Sequence, residues 1–203
     1  MYKNGENKIF CIGLPRTGTT SIHLAFQYLG LKSIHFPKQL WEDIQHPIMS
    51  EFTAFSDTPL SLLYPKLDKA FPGSLFVLST RELNSWLKSC EWMFRYKANA
   101  WAFNQEPTKT FHRELFGTTT FDKEMFTKGY NEFHNEARSY FQNNANFFEL
   151  NLPEETSPWK KLCGFLGAEE PDIPFPHHKD HRFGLVDRIA IWLEDKKYNN
   201  SQP

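Results

Sequence analysis

Short apolar runs alternate along this chain with longer stretches in which apolar residues recur every three or four positions. "KIFCIGL" (Lys8 to Leu14) is a continuous run of strand formers ending in glycine and proline, which predicts a buried strand entering a tight loop. "TTSIHLAFQYLG" places Ile22, Ala25, Phe26 and Leu29 at helical spacing, with Gly30 as a stop. "KSIHF" predicts a second strand, and Pro59 to Ala70 a helical segment interrupted by Pro65. "SLFVLST" (Ser74 to Thr80) is the clearest strand. The helix after it carries Leu83, Trp86, Leu87 and Cys90 on one face.

From Glu91 to Phe121 the pattern weakens, so this stretch reads either as a lid or as a pair of irregular helices. Helical spacing resumes through Phe126, Tyr130, Phe133 and Ala137, and "NFFEL" predicts a further buried strand. "SPWKKLCGFLG" predicts a helix with Ser157 as N-cap, Pro158 in its first turn and Gly167 past its end. The prolines of "PDIPFPHHKDHRFG" exclude regular structure there, and a last helix is expected from about Leu185 to Lys197. Strands alternating with helices imply an α/β fold: a mostly parallel sheet flanked by helices on both faces. No repeat or linker divides the chain, so residues 1–203 are expected to form a single domain.

Composition narrows the function classes. Lys+Arg 23 against Asp+Glu 24 leaves a formal net charge of −1, so no global positive field gathers nucleic acid or an anionic membrane surface. Any anion site must be built locally. The polar start "MYKNGENK" fits neither a secretory signal nor a membrane span, and a soluble, cytoplasmic protein is expected. Cys11, Cys90 and Cys163 lie far apart in apolar segments, which favours buried free thiols in a reducing compartment. With 20 Phe among the aromatic residues, an aromatic core with aromatic pocket walls is expected.

The chemistry starts at "GLPRTGTT" (Gly13 to Thr20). A glycine-rich turn between strand and helix aims backbone N–H groups at one point, where the helix's positive end favours an anion. Gly13 and Gly18 keep the G-x-x-x-x-G spacing of a phosphate loop, but Thr19-Thr20 replaces the usual Lys-Ser/Thr pair. The lysine that would grip β- and γ-phosphates is missing, and no apolar strand is seen to end in the Asp of a magnesium site, which weakens an ATPase or kinase reading. Positive charge sits inside the loop instead, at Arg16.

"GLPRTGTTSI" resembles the 5′-phosphosulfate loop of sulfotransferases that use 3′-phosphoadenosine 5′-phosphosulfate (PAPS), with Arg16 at the catalytic lysine/arginine position and Pro15, Thr17, Gly18, Thr19, Thr20 and Ser21 around the donor. The family's second hallmark is an arginine at a strand end and a serine eight residues on, both reaching the donor's 3′-phosphate. "FVLSTRELNSWLKS" supplies Arg81 and Ser89 at that spacing, with Ser85 one turn earlier on the same face. The tail "WKKLCGFLGAEEPDIPFPHHK" is similar to the C-terminal stretch of a divergent sulfotransferase group. The likeness spans about Lys8 to Lys179. One departure is the absence of the R-K-G-x-x-G-D-W segment with which cytosolic members cover the 3′-phosphate.

The resemblance implies a phosphate-loop-like fold, PAPS as co-substrate, adenosine 3′,5′-bisphosphate (PAP) as product and no metal; the aromatic residues between Trp92 and Phe121 point to a small acceptor, apolar or aromatic. Two residues are candidates for the base that takes the acceptor's proton. His35 titrates in the right range when unperturbed, whereas Asp57 needs an apolar setting to raise its pKa. The divergent group carries an Asp in the position of Asp57, which puts it first; a helix N-cap is its structural alternative. His177, His178 and His181 read as a polar loop rather than a metal site, and His23 as a helix-surface residue. A phosphate-loop kinase and a catalytically silent PAP binder remain the alternatives.

Overall fold

In the computed structural model, which describes residues 7–96 and 106–177, the apolar runs form five strands: β1 (Ile9–Cys11), β2 (Ser33–His35), β3 (Ala54–Ser56), β4 (Leu75–Thr80) and β5 (Phe147–Asn151). Seven helices are described: α1 (Thr19–Tyr28), α2 (Ile48–Glu51), α3 (Leu60–Ala70), α4 (Leu83–Tyr96), α5 (Thr108–Phe116), α6 (Lys123–Tyr140) and α7 (Pro158–Leu166), plus a 3₁₀ turn at Lys38–Trp41. The strand order is β2-β3-β1-β4-β5. Every pairing is parallel, so each connection crosses a face of the sheet, as the α/β pattern requires.

Side chains alternate across the sheet with period two, and each face has its own core. Phe10, Phe55, Phe76 and Leu78 pack on one face against Leu63 and Leu67 of α3, Trp86 of α4 and Phe126 and Phe133 of α6. Ile9, Cys11, Leu75 and Val77 pack on the other against Ile22 and Phe26 of α1 and Trp159 and Leu162 of α7. One row explains part of the phenylalanine content. Register aligns Phe55, Phe10, Phe76 and Phe147 across four strands. The Phe10 ring lies 5.5 Å from that of Phe55 and 5.4 Å from that of Phe76. Phe141, just past α6, covers Phe76 and Phe147 at 4.7 Å and 4.8 Å. Truncating the middle of this row leaves a hole that rigid strands cannot close. Phe10→Ala is expected to cost about 3–5 kcal/mol, read as a lower urea midpoint at unchanged slope; a loss under about 1 kcal/mol would show that the row is not a stabilising unit.

Three expectations change, and one left open between two readings takes the helical one. β3 escaped the pattern because three residues, "AFS", are too few to show a period. Pro65 does not interrupt α3, which runs unbroken while burying Leu60, Leu63, Tyr64 and Leu67; burial on that face outweighs the lost hydrogen bond. Between Glu91 and Phe121 the described residues are largely helical. α5 buries Thr108, Phe111, His112, Leu115 and Phe116, a regular helical stripe disguised by a buried Thr and His. Ser157 stands at the N-cap of α7 but its side chain makes no capping bond. The helix expected at 185–197 lies outside the described residues. All three cysteines are free and buried.

Candidate functional site

Three loops leaving the C-terminal ends of β1, β2 and β3 each hold a non-glycine residue at positive φ: Arg16 (74°), Phe36 (58°) and Asp57 (78°). Such backbone costs of order 1–3 kcal/mol per residue and collects at ligand sites. The place fits, because the chain passes from β1 outward to β2 and β3 and then to β4 on β1's other side. In open parallel sheets, ligands bind beyond the strand ends at such a reversal.

The first loop is pressed onto β4. A Cβ on Gly13 would lie 1.9 Å from Ser79 Oγ and 2.7 Å from the Ser79 carbonyl oxygen, so only glycine fits. Thr17 is buried; its hydroxyl donates to the Leu14 carbonyl at 2.7 Å and lies 2.7 Å from Ser79 Oγ. That hydroxyl is thus engaged beneath the loop, on Leu14 and Ser79. Gly18, at φ 103°, is the N-cap of α1. The amides of Thr19, Thr20 and Ser21 open the helix, where no earlier residue supplies an intrahelical acceptor. No acidic residue sits in that first turn to repel an anion.

The two stretches carrying the phosphate-binding candidates meet here. Arg16 Nε donates to Ser89 Oγ at 3.0 Å, and the Arg16 guanidinium carbon lies 5.9 Å from the centroid of the Trp92 ring. Arg81 Nε donates to Ser85 Oγ at 3.0 Å and its Nη1 to the Arg16 carbonyl at 3.3 Å. Two cations are therefore held close together, and burial followed by the Arg16 charge pulls the Arg81 pKa down. An arginine stays charged regardless, so the pair forms a concentrated positive site in a chain of nearly zero net charge. Ser89 contacts Arg16 rather than standing alone beside Arg81. Trp92, not singled out as a site residue in the sequence, follows Ser85 and Ser89 at i+7 and i+3 on the same helix face; that spacing was its available signal.

Asp57 immediately follows β3, beside β1, which corrects the expectation that no strand ends in an Asp. It is not the N-cap of α3, a place held by Pro59. Its Oδ1 accepts the Thr58 amide at 2.9 Å, and its Oδ2 lies 3.2 Å from His35 Nε2. Burial raises its pKa to about 6, against the opposing pull of the Thr58 amide, the Arg16 charge and the Thr19 hydroxyl. His35 Nε2 also lies 3.3 Å from Thr20 Oγ1, and its Nδ1 3.0 Å from Ser56 Oγ. The two base candidates are thus in contact with each other, with Thr19 bonded to Asp57 and Thr20 to His35. His23 is not a surface residue. It is half-buried, bonded through Nδ1 to Ser33 Oγ at 2.8 Å, and burial lowers its pKa to about 3, which keeps it neutral. Among the described residues, no group of three or more His, Cys, Asp or Glu is arranged to hold a metal. His178 and His181 lie outside them. No helix among the described residues is long and apolar enough to cross a membrane.

Comparison with known proteins supplies the family and the fold. The chain is similar to "Ava biosynthesis cluster protein M" of Aspergillus versicolor, with 24% identity over 84% of this chain and 80% of that protein. Its fold is similar to that of a sulfotransferase from Alicyclobacillus acidocaldarius, with TM-score 0.53 and 13% identity over 93% of this chain and 92% of the other. It is also similar to mouse sulfotransferase SULT7A1 complexed with PAP, with TM-score 0.51 and 15% identity over 82% of this chain and 61% of that one. Since the profile of the sulfotransferase domain matches residues 8–183, most of the sequence and both halves of the site, the chain belongs to the sulfotransferase family.

Proposed function

We propose that this sulfotransferase takes its sulfuryl group from PAPS and passes it to a hydroxyl or amine of a small acceptor by in-line displacement. The observation that carries the reading is the convergence of Arg16, Ser89 and Arg81 on one point beyond β1 and β4. A donor with about four negative charges needs such a focused site in a near-neutral protein. The loop from Pro15 to Ser21 receives the 5′-phosphosulfate on the α1 amides, and Arg81 with Ser89 receives the 3′-phosphate. Thr17 serves from below, by holding the loop on β4.

The acceptor atom attacks sulfur as the bond from sulfur to the bridging phosphate oxygen breaks, and PAP leaves with that electron pair. As in phosphoryl transfer, positioning and charge stabilisation dominate. Arg16 stabilises the negative charge that grows on the bridging oxygen. The acceptor's proton passes to the Asp57–His35 pair, with Asp57 as the ionisable base. Phe36 follows His35 directly, and its ring meets Phe111, which in turn meets Trp41, at 6.1 Å and 5.2 Å. These rings support an apolar or aromatic acceptor, and likeness to a protein named for a biosynthesis cluster supports a small-molecule one. Binding of carbohydrates in preference to phenols and alcohols would overturn that part. Free buried thiols support a reducing compartment such as the cytoplasm.

The position of Asp57 at a strand end beside the loop favours one competing reading, a nucleotide kinase holding Mg²⁺ there. The missing lysine and the His35 contact count against it. Calorimetry with PAP, ADP and ATP, each without and with Mg²⁺, separates the two. Tight metal-independent binding of PAP is expected, weakened about 10-fold or more in Arg81→Ala through loss of a charge-assisted phosphate contact. Preference for ATP with Mg²⁺ would replace the sulfotransfer reading with the kinase one.

A further inference from the structure

Beneath the donor site, two aromatic side chains grip the backbone of the two anion-binding stretches. Trp86 of α4 is fully buried, and its indole Nε1 donates to the Pro15 carbonyl at 2.8 Å. Tyr130 of α6 donates its hydroxyl to the Arg81 carbonyl at 2.6 Å. The rings lie 5.0 Å apart, with Phe126 5.8 Å from Trp86 and His134 4.0 Å from Tyr130 on the outer sides. Each bond fixes a peptide plane. Holding the Pro15 carbonyl sets the plane through which Arg16 enters its left-handed conformation, and holding the Arg81 carbonyl sets the plane at the start of α4. The third tie is Arg81 Nη1 to the Arg16 carbonyl.

We infer that Trp86 and Tyr130 are positioning residues that fix the distance between the 5′- and 3′-anion subsites. The inference rests on the PAPS reading above. A ligand carrying both anions gains over a ligand carrying one only if the two subsites stand at the ligand's own spacing, since a mismatch is met by strain or by loss of one contact. A packed aromatic pair can hold that spacing because its rings are locked by the core while its polar tips reach the loops. The polar tips of the pair are both engaged on backbone carbonyls.

The test is the ratio of affinities for PAP and adenosine 5′-monophosphate, by calorimetry, in the native chain, Tyr130→Phe and Trp86→Phe. Tyr130→Phe removes one oxygen and leaves the ring packing. Each variant is expected to lose roughly 5- to 20-fold in PAP affinity, as for loss of one buried hydrogen bond, with the monophosphate changed less than about 3-fold. The advantage of the second phosphate shrinks accordingly. Phe126→Leu, which loosens the same core but breaks neither loop bond, is expected to lower the melting temperature while leaving the ratio unchanged. Equal weakening of both ligands, or a shrunken ratio in Phe126→Leu, would reduce the pair to ordinary core. An unchanged ratio in Tyr130→Phe and Trp86→Phe would overturn the inference while the donor reading stood. A native chain that does not prefer PAP to the monophosphate would overturn both.

Discussion

Arg16→Ala is expected to lower turnover about 10³-fold with the fold intact, the scale on which a positively charged group aimed at developing charge acts. The guanidinium is restrained before any ligand arrives: Ser89 holds Nε and the Trp92 ring lies across its face. Little reorganisation remains to be done in the transition state. Stability and activity separate cleanly at this position because Arg16 sits at φ 74°. Arginine and alanine are both strained there and glycine is not, so Arg16→Gly is expected to be as inactive as Arg16→Ala yet more stable by about 1 kcal/mol. Steady-state turnover and thermal unfolding of the two variants check this. Retention of activity within about 10-fold in Arg16→Ala would remove it from the chemical step.

Asp57→Asn is expected to abolish turnover, by at least about 10²-fold, while stabilising the folded chain at neutral and alkaline pH. The sign follows from the raised pKa, about 6 in the fold against an ordinary 3.8. Between these values the native state keeps a proton that the unfolded state has released, so stability falls as pH rises through that window. Above about pH 6 the penalty is complete, roughly 2–3 kcal/mol for a shift of this size less what the His35 contact returns. Asparagine carries no such penalty. Its stability advantage should be present at pH 8 and vanish near pH 4, in urea titrations of both chains. Native kcat/KM is expected to rise with pH through about 6 as Asp57 gives up its proton. An active Asp57→Asn with an inactive His35→Gln would assign the proton to His35 instead.

Local patterns carried far. The β1-loop-α1 unit was legible because strand, glycines and helix stripe lie within one stretch from Lys8 to Gly30. Arg81 and Ser89 were picked out by the resemblance, whose strand-end arginine and serine eight residues on recur in "RELNSWLKS"; α4 begins only at Leu83, so Arg81 precedes the helix that carries Ser89. β3 was hidden by its length and α5 by its buried Thr and His. Trp86 and Tyr130 read as core periodicity, which they are; that their polar tips hold Pro15 and Arg81 across 71 and 49 residues has no local trace.

By itself the sequence determined the alternation of strands and helices, the glycine turn between β1 and α1 and the arginine inside that turn, since these depend on residue type and near spacing. Only the tertiary structure decided that Thr17 turns beneath the loop to Ser79, that Asp57 and His35 form one pair, and that burial brings Asp57 to about 6. Those properties depend on which side chains meet across the ends of different strands and on how much water that meeting removes, and neither is fixed by any short stretch of chain.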